Sequence, residues 1–219
     1  MAGLPADLQH PGLVLVEGAT DEYLLRAWLR KENLSGVHVW RYDGKTNLSQ
    51  TLKLLTKHPG FSRLRRILIV RDINGDADAA WQSVCGGLAG TVPPMPVPQN
   101  RDAWSDPAQV AAPGAAPPSP LRTAAVLLGN DAETGELEDW LLERATPVLL
   151  GECSELAVAC AEEKSGQRLA KRGKALLHAA LAVSGVPGMD LGQAYDAGMF
   201  AFRPADALPR LIEEAIEAV

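Results

Sequence analysis

The sequence predicts an α/β fold, a mainly parallel sheet of four strands flanked by helices, with a helical C-terminal portion. Two observations lead to this prediction. Up to about residue 130, short continuous apolar runs, which are typical of buried parallel strands, alternate with amphipathic segments. Such an alternation favours right-handed crossovers and therefore a parallel sheet. From Glu136 onward, the sequence pattern is almost wholly helical.

The individual elements follow from this pattern in chain order. Apolar runs predict strands over residues 13–16, 37–40, 67–70 and 124–128. Thr20, a residue type that caps helices well, predicts the start of the first helix, with Asp21 and Glu22 in its first turn. Further helices are predicted over residues 48–57, 77–88, 137–144, 152–163, 167–184, 191–197 and 205–218. We therefore expect an α/β domain over residues 1–150 and a helical portion over residues 151–219 that packs on the same domain.

A proline-rich segment interrupts this pattern before the fourth strand. Nine of the sixteen prolines fall between Pro93 and Pro120, where neither helical nor strand periodicity is present. Proline lacks a backbone N–H group and favours extended geometry in the preceding residue. We therefore predict an inserted loop with polyproline character at about residues 91–121. The alternative interpretation is a docking strip for a partner protein, with Trp104 as its anchor.

Composition restricts the class of protein. The 219 residues include 21 Lys and Arg and 27 Asp and Glu, which gives a formal net charge of −6. This charge argues against a broadly basic nucleic-acid coat, but it leaves open a local site at which metal ions supply positive charge. Cys85, Cys153 and Cys160 form no CxxC pair, which argues against a structural zinc site or a disulfide scaffold and favours a reducing cytoplasm. Since neither a signal-peptide pattern nor a membrane-spanning apolar run is present, we expect a soluble cytoplasmic protein.

Acidic and amide side chains follow three of the predicted strands, at the ends where ligands gather in open parallel sheets. After the first and third strands, these residues are Glu17, Asp72, Asn74 and Asp76. After the fourth strand, they are Asn130, Asp131, Glu136, Glu138 and Asp139. Hard divalent cations such as Mg²⁺ prefer such an oxygen-rich shell, and without a cation the carboxylates would repel one another. The alternative is that each residue is an ordinary turn former, helix cap or solvated side chain.

Two segments resemble the signature motifs of the Toprim domain, which topoisomerases, bacterial primases, recombination proteins and overcoming-lysogenization-defect (OLD) nucleases share. The segment LVLVEGATDEYLL matches a hydrophobic strand that ends in Glu-Gly and is followed by an Asp at the start of a helix. The segment ILIVRDINGDAD matches a hydrophobic strand that ends in Asp-x-Asp. Further segments, RYDGKTNL, DADAAWQSV, GELEDWLLE and KALLHAAL, resemble a small Toprim-like family of bacteria and archaea close to the OLD nucleases. The resemblance implies a Toprim-like, and hence Rossmann-like, α/β domain over residues 1–150.

The resemblance also implies roles for individual residues. The metal ligands that it implies are Glu17, Asp72, Asn74, Asp76 and Glu138. The catalytic residues that it implies are Glu17, Asp72 and Lys45. Asn74 departs from the motif because it replaces the second Asp, so its amide oxygen brings no negative charge, and Asp76 compensates two residues on. Glu138 matches a ligand of a second metal, and Lys45 matches a lysine whose ammonium group meets a phosphate, although an exposed loop lysine is the alternative.

Two basic clusters offer positive charge to a phosphate backbone. The first lies between the second and third strands and comprises Lys53, Lys57, His58, Arg63, Arg65 and Arg66. The second, which we predict to bind nucleic acid, lies at helical spacing in the C-terminal portion and comprises Arg168, Lys171, Arg172 and Lys174. The alternative interpretation of both clusters is a solvated face, because most short charge runs have no ligand.

Together, these features predict a nuclease that hydrolyses phosphodiesters of DNA or RNA with Mg²⁺ or Mn²⁺ as cofactor. The alternative is a Toprim-fold binding or scaffold module with weakened catalysis, which Asn74 favours. The resemblance implies work beside an ATPase in phage defence or repair. Since the sequence has no P-loop motif (GxxxxGKS or GxxxxGKT), such an ATPase is a separate polypeptide. The sequence leaves a homo-oligomer open and predicts no membrane partner.

Overall fold

The computed structural model describes residues 7–110, 120–130, 134–147, 149, 152–184, 188–203 and 205–217. Several features of the sequence prediction lie outside the described residues. They are the N-terminal residues 1–6, Asp131, residues 111–119 of the proline-rich insertion and the predicted domain boundary at residues 150 and 151. Within the described residues, no helix is both long and apolar enough to cross a membrane.

A five-stranded sheet forms the centre of the fold. Its strands are β1 (Gly12–Val16), β2 (Val37–Arg41), β3 (Arg66–Asp72), β4 (Ala108–Gln109) and β5 (Pro120–Leu128). Their spatial order is β2-β1-β3-β5-β4, and β2, β1, β3 and β5 run parallel to one another. The predicted α/β class and mainly parallel sheet are confirmed, whereas the predicted number of four strands is wrong.

The additional strand, β4, belongs to the proline-rich insertion. Ala108 and Gln109 pair antiparallel with Leu121 and Pro120 of β5. Without β4, the outer edge of β5 would present unpaired backbone N–H and C=O groups. The extended residues of β4 form hydrogen bonds with some of these groups, although β4 is only two residues long. The prediction of a loop throughout residues 91–121 is therefore wrong at β4 and at the start of β5.

Helices flank the sheet on both sides. In the described residues they are α1 (Ala19–Lys31), α2 (Leu48–Leu55), α3 (Ala77–Ala89), α4 (Leu137–Leu142), α5 (Glu152–Ser165), α6 (Arg172–Val183), α7 (Leu191–Asp196) and α8 (Ala207–Ile216), with a 3-10 turn at Phe61–Arg63. The predicted N-cap Thr20 is wrong, because Thr20 lies inside α1 and Gly18 is the N-cap. The predicted helix start at residue 167 is also wrong, because the Leu169 N–H donates to the Glu162 carboxylate at 3.0 Å and the helix begins only at Arg172.

Side chains alternate between the two faces of the sheet, and each face has its own apolar core. Val14 and Val16 of β1 belong to a core with α1, α4, α6, α7 and α8, and we call this side the α1 face. Leu13 and Leu15 belong to a core with α2 and α3, and we call this side the α3 face. In β3, Ile69 likewise lies on the α3 face. The carboxyl ends of the parallel strands therefore form an edge between two helical layers.

The described part of the insertion packs against the rest of the protein. Trp104 is partly buried against the core of the α1 face. Its Nε1 donates to Oε2 of Glu214 at 2.7 Å, and the Arg66 guanidinium lies 5.2 Å from its ring centroid. Trp104 therefore packs within this chain, and its function as an anchor for a partner protein stays a prediction.

Candidate metal centre

Four carboxylates meet at the carboxyl edge of the sheet. Because β1 and β3 are adjacent and parallel, Glu17 after β1 and Asp72 at the end of β3 lie at the same edge. Asp21 lies in the first turn of α1, and Glu138 lies in the first turn of α4. Oδ1 of Asp72 accepts a hydrogen bond from the backbone N–H of Leu137 at 3.0 Å, which holds the start of α4 against the end of β3. We call these four carboxylates the acidic cluster.

The charges of the acidic cluster act on one another. Burial and the charges of its three cluster neighbours raise the pKa of Asp72 to about 8. Burial and the charges of Glu17 and Glu138 raise the pKa of Asp21 to about 6. The hydrogen bond that Asp21 accepts from the Gly18 N–H at 2.6 Å opposes this rise. A positive charge placed among these side chains would therefore lower both pKa values.

Glu17 carries an unsatisfied oxygen. Its Oε2 is buried and has no hydrogen-bond partner among the described residues. Burial raises the pKa of Glu17, whereas the charge of Arg71 and the backbone N–H groups of Asp72 and Lys45 lower it. Leaving a buried acceptor without a donor costs about 1–3 kcal/mol, and a bound cation would remove this cost.

Lys174 supplies positive charge to the acidic cluster. Its Nζ lies 2.8 Å from Oε1 of the buried Glu138. This contact, together with the charges of Glu136 and Asp72, raises the pKa of Lys174. The structure thus places a residue that we predicted to bind nucleic acid in an ion pair with a predicted metal ligand.

Asn74 and Asp76 have local structural roles beside the acidic cluster. Asn74 is exposed, has a φ of 55°, and its N–H donates to the Gly135 carbonyl at 2.8 Å. Asp76 is the N-cap of α3, and its Oδ1 accepts from the Ala79 N–H at 2.9 Å. Their function as metal ligands stays a prediction. The predicted ligands that the fold brings together are Glu17, Asp72 and Glu138.

A cavity of about 700 Å³ lies beside the acidic cluster, and we call it the basic cavity. Its lining includes Lys45 and the four residues predicted to bind nucleic acid, Arg168, Lys171, Arg172 and Lys174. Part of their charge is already offset. Lys171 pairs with Glu136, and Nη2 of Arg172 lies 2.8 Å from Oε2 of Glu155. The basic cavity is thus lined by cations and carboxylates together, and its function in binding nucleic acid stays a prediction.

The other predicted basic cluster lies partly at the opposite edge of the sheet. Arg65 and Arg66 lie at the amino end of β3, whereas Asp72 lies at its carboxyl end. Arg63 pairs with Asp7 at 3.2 Å, and Arg66 donates to the Glu214 carbonyl. These arginines therefore do not reach the acidic cluster.

The carboxylates of the acidic cluster do not form a preformed cage of metal ligands, so a divalent cation there would have to keep several of its waters. No group of three or more His, Cys, Asp or Glu side chains is arranged to hold a metal ion in the described part of the chain. Mg²⁺ keeps several of its waters and binds through one or two carboxylates together with substrate phosphates. The unpartnered Oε2 of Glu17 and the raised pKa of Asp72 are the features that such an ion would relieve.

Sequence reasoning assigned no site role to Asp21 or Arg71. Asp21 follows the Glu17-Gly18 pair by three residues, a spacing that returns its carboxylate to the strand end once a helix begins at residue 19. Arg71 is 7% exposed at the end of the apolar run of β3, and a charged residue in such a position is itself a signal of a site.

The similarity of the chain to other proteins lies at the level of its family. No curated protein and no solved structure matches it significantly. A family model described as "Protein of unknown function (DUF3226)" matches residues 11–209, a range that includes β1 to β5, the acidic cluster and the basic cavity. Because this match spans most of the 219 residues, the chain belongs to the DUF3226 family.

Proposed function

We propose that this protein is a Toprim-type nuclease, which hydrolyses phosphodiester bonds of DNA or RNA with Mg²⁺ or Mn²⁺ as cofactor. One observation carries this proposal. Four mutually repelling carboxylates meet at the carboxyl edge of a parallel sheet, and one of their buried oxygens has no partner among the described residues. The resemblance of the two strand ends to Toprim motifs supports the same chemistry.

Within this proposal, Glu17, Asp72 and Glu138 hold the metal, and Asp21 adds negative charge beside them. When bound, the ion would lower the pKa of a water molecule and stabilise negative charge on the leaving oxygen. Glu17 is also the candidate acid or base, because its buried Oε2 has no hydrogen-bond partner among the described residues and could accept a proton. Lys45 lies close enough to Glu17 to lower its pKa, and its ammonium group can bind a phosphate there.

Plasmid nicking tests this proposal. At micromolar protein, we expect wild type to nick supercoiled DNA, or to cleave single-stranded DNA or RNA, only when Mg²⁺ or Mn²⁺ is added. Glu17→Gln keeps the shape of the side chain but removes its charge, so the cleavage rate should fall at least about 100-fold. Glu213→Gln, at an exposed position of α8, is the matched control and should cleave like wild type.

If wild type cleaves none of the three substrates in a metal-dependent way, the nuclease proposal is wrong. An equal rate in wild type and Glu17→Gln would assign any cleavage to another site or to a contaminant. In the cell, we propose that the protein works with a separate ATPase in phage defence or repair, because the resemblance to OLD nucleases implies such a partner and the given sequence has no P-loop motif.

A second candidate function is a nucleic-acid-binding or scaffold module with weakened catalysis. The observation that favours it is the exposed Asn74, which occupies a turn where the Toprim motif has a second Asp. Calorimetric titration with Mn²⁺ separates the two candidates. Metal binding that Glu17→Gln abolishes, without any cleavage by wild type, would favour the binding module.

A further inference from the structure

A second cavity lies at the same edge of the sheet, on the α3 face. Its volume is about 380 Å³. Its lining combines two cations and three hydroxyl groups with one carboxylate, from Lys45, Arg71, Thr46, Ser49, Ser83 and Asp76. One oxygen of Asp76 accepts the N-cap hydrogen bond of α3, and its negative charge is outnumbered by the two cations of the lining. The cations and hydroxyl groups can donate hydrogen bonds to an anion.

Arg71 is the residue of this cavity that most strongly indicates an anion site. Strand alternation places it with Ile69 on the α3 face, away from the α1 face that Asp72 shares with Leu137. Its side chain is 7% exposed, and Nη1 donates to Oγ of Ser83 at 3.0 Å. Its Nε is buried and has no hydrogen-bond partner among the described residues. The Glu17 carboxylate lies near enough for Arg71 to lower its pKa, but Nε of Arg71 still lacks an acceptor. A buried donor without an acceptor is costly, and a second anion in the cavity would supply further acceptors to the guanidinium.

Lys45 connects this cavity with the basic cavity. It is exposed in the loop after β2, and it lines both cavities. A chain of phosphates that crosses the sheet edge at Lys45 would therefore extend from the basic cavity to Arg71. Arginine binds phosphate through several N–H groups at once, and hydroxyl groups complete such sites.

We propose that the Arg71 cavity binds a phosphate group of the nucleic-acid strand, separate from the phosphate that is cleaved. The assignment rests on the proposed function, because that function supplies the strand. Inorganic phosphate offers the same chemistry to Arg71 as a backbone phosphate, so the experiment must distinguish a free anion from a strand.

Binding measurements in EDTA test the cavity without any cleavage. The probes are inorganic phosphate, followed by calorimetry, and a fluorescent single-stranded oligonucleotide, followed by anisotropy. For Arg71→Gln, we expect both affinities to fall about tenfold, because charged hydrogen bonds are lost. Arg210→Gln is the matched control, because Arg210 lies on α8, lines neither cavity and should leave both affinities unchanged.

A second variant keeps the test decisive if Arg71→Gln does not fold. Ser83 is exposed on α3, so Ser83→Glu should fold, and its carboxylate would occupy Arg71 in place of phosphate. We expect the same tenfold losses. Unchanged phosphate affinity in the folded variants would overturn the proposal. Loss of phosphate affinity with unchanged oligonucleotide affinity would also overturn it, because the ligand would then be a free anion.

These outcomes are distinct from failure of the nuclease proposal. If wild type cleaves nothing but both variants lose oligonucleotide affinity, the nuclease proposal fails and the Arg71 cavity still binds a strand. If wild type cleaves but both variants keep wild-type affinity for the oligonucleotide, the nuclease proposal stands and the Arg71 cavity is not part of its substrate site.

Discussion

Arg71 and Asp72 are neighbours in sequence but face opposite sides of the sheet. Arg71 lies on the α3 face and contacts Ser83, whereas Asp72 lies on the α1 face and accepts from Leu137. Glu17, at the end of the adjacent strand β1, is influenced by both charges, because Arg71 lowers its pKa and Glu17 raises that of Asp72. Two residues at one strand end thus place a guanidinium on one face of the sheet and a carboxylate on the other.

At the residue scale, the raised pKa of Asp72 predicts how stability depends on pH. The pKa of Asp72 rises from 3.8 to about 8 in the folded protein, and that of Asp21 rises to about 6. The folded protein therefore holds protons that the unfolded chain has already released at these pH values. In EDTA, the free energy of unfolding should fall as the pH rises from about 4 to about 8 and then level off.

The variant Asp72→Asn should remove much of this slope. Asn carries no charge, so at about pH 8 the metal-free variant should be more stable than wild type by at least about 1 kcal/mol, since one pKa unit corresponds to about 1.4 kcal/mol. Urea denaturation across the pH range measures the effect. Asp196→Asn, which removes an exposed carboxylate of α7 that pairs with Arg30, lies outside the acidic cluster, so it is the control and should keep the wild-type slope. A wild-type stability that rises over this range would contradict the pKa assignment.

At the element scale, the strands were predictable because their cores are continuous apolar runs. β1 is one residue longer than predicted, and Glu17 still follows its carboxyl end. β3 is three residues longer than predicted, and Asp72 lies at its carboxyl end. β4 was not predictable, since two residues without periodicity become a strand only through the free edge of β5. The start of α6 was not predictable either, because a side-chain contact from Glu162 decides it. Helix geometry brings Asp21 to the site, and strand alternation places Arg71 there. Neither placement is evident from residue type alone.

The contact between α4 and α6 gives a prediction at this scale. Gly173 in α6 lies against α4, where an added Cβ would lie 1.9 Å from Oδ1 of Asp139. Gly173→Ala should therefore push the helices apart, lower the free energy of unfolding by about 1–3 kcal/mol and separate Lys174 from Glu138. Gly86→Ala in α3 is the matched control, because its Cβ meets nothing within 4 Å and alanine favours a helix.

Urea denaturation of both glycine variants measures this difference directly. Gly86→Ala should be neutral or stabilising by up to about 1 kcal/mol. Equal stability of Gly173→Ala and wild type would show that α6 can move without loss of packing, and it would count against a fixed Lys174–Glu138 pair.

At the scale of the whole molecule, the net charge of −6 has a particular distribution. Carboxylates gather at the strand ends, and several cations of the basic cavity are already paired with carboxylates. A nucleic-acid strand that approached the acidic cluster would therefore meet negative charge until a divalent cation bound. Proteins that bind nucleic acid through basic charge alone lose affinity when divalent cations compete for the phosphates. The acidic cluster predicts the opposite response.

Oligonucleotide binding at constant ionic strength tests this prediction. Ca²⁺, a hard cation with oxygen ligands, should tighten binding to wild type about tenfold, which equals about 1.4 kcal/mol. At about pH 9, where Asp72 is ionised in EDTA, the double variant Glu17→Gln, Asp72→Asn should lose this effect and bind more tightly than wild type, because two negative charges of the acidic cluster are gone. The double variant Glu213→Gln, Asp196→Asn also removes two formal negative charges, so its formal net charge is likewise −6 + 2 = −4. This second pair lies outside the acidic cluster, and the variant should keep the response to Ca²⁺. If the two double variants behave alike, total charge governs binding, and the acidic cluster has no special part in it.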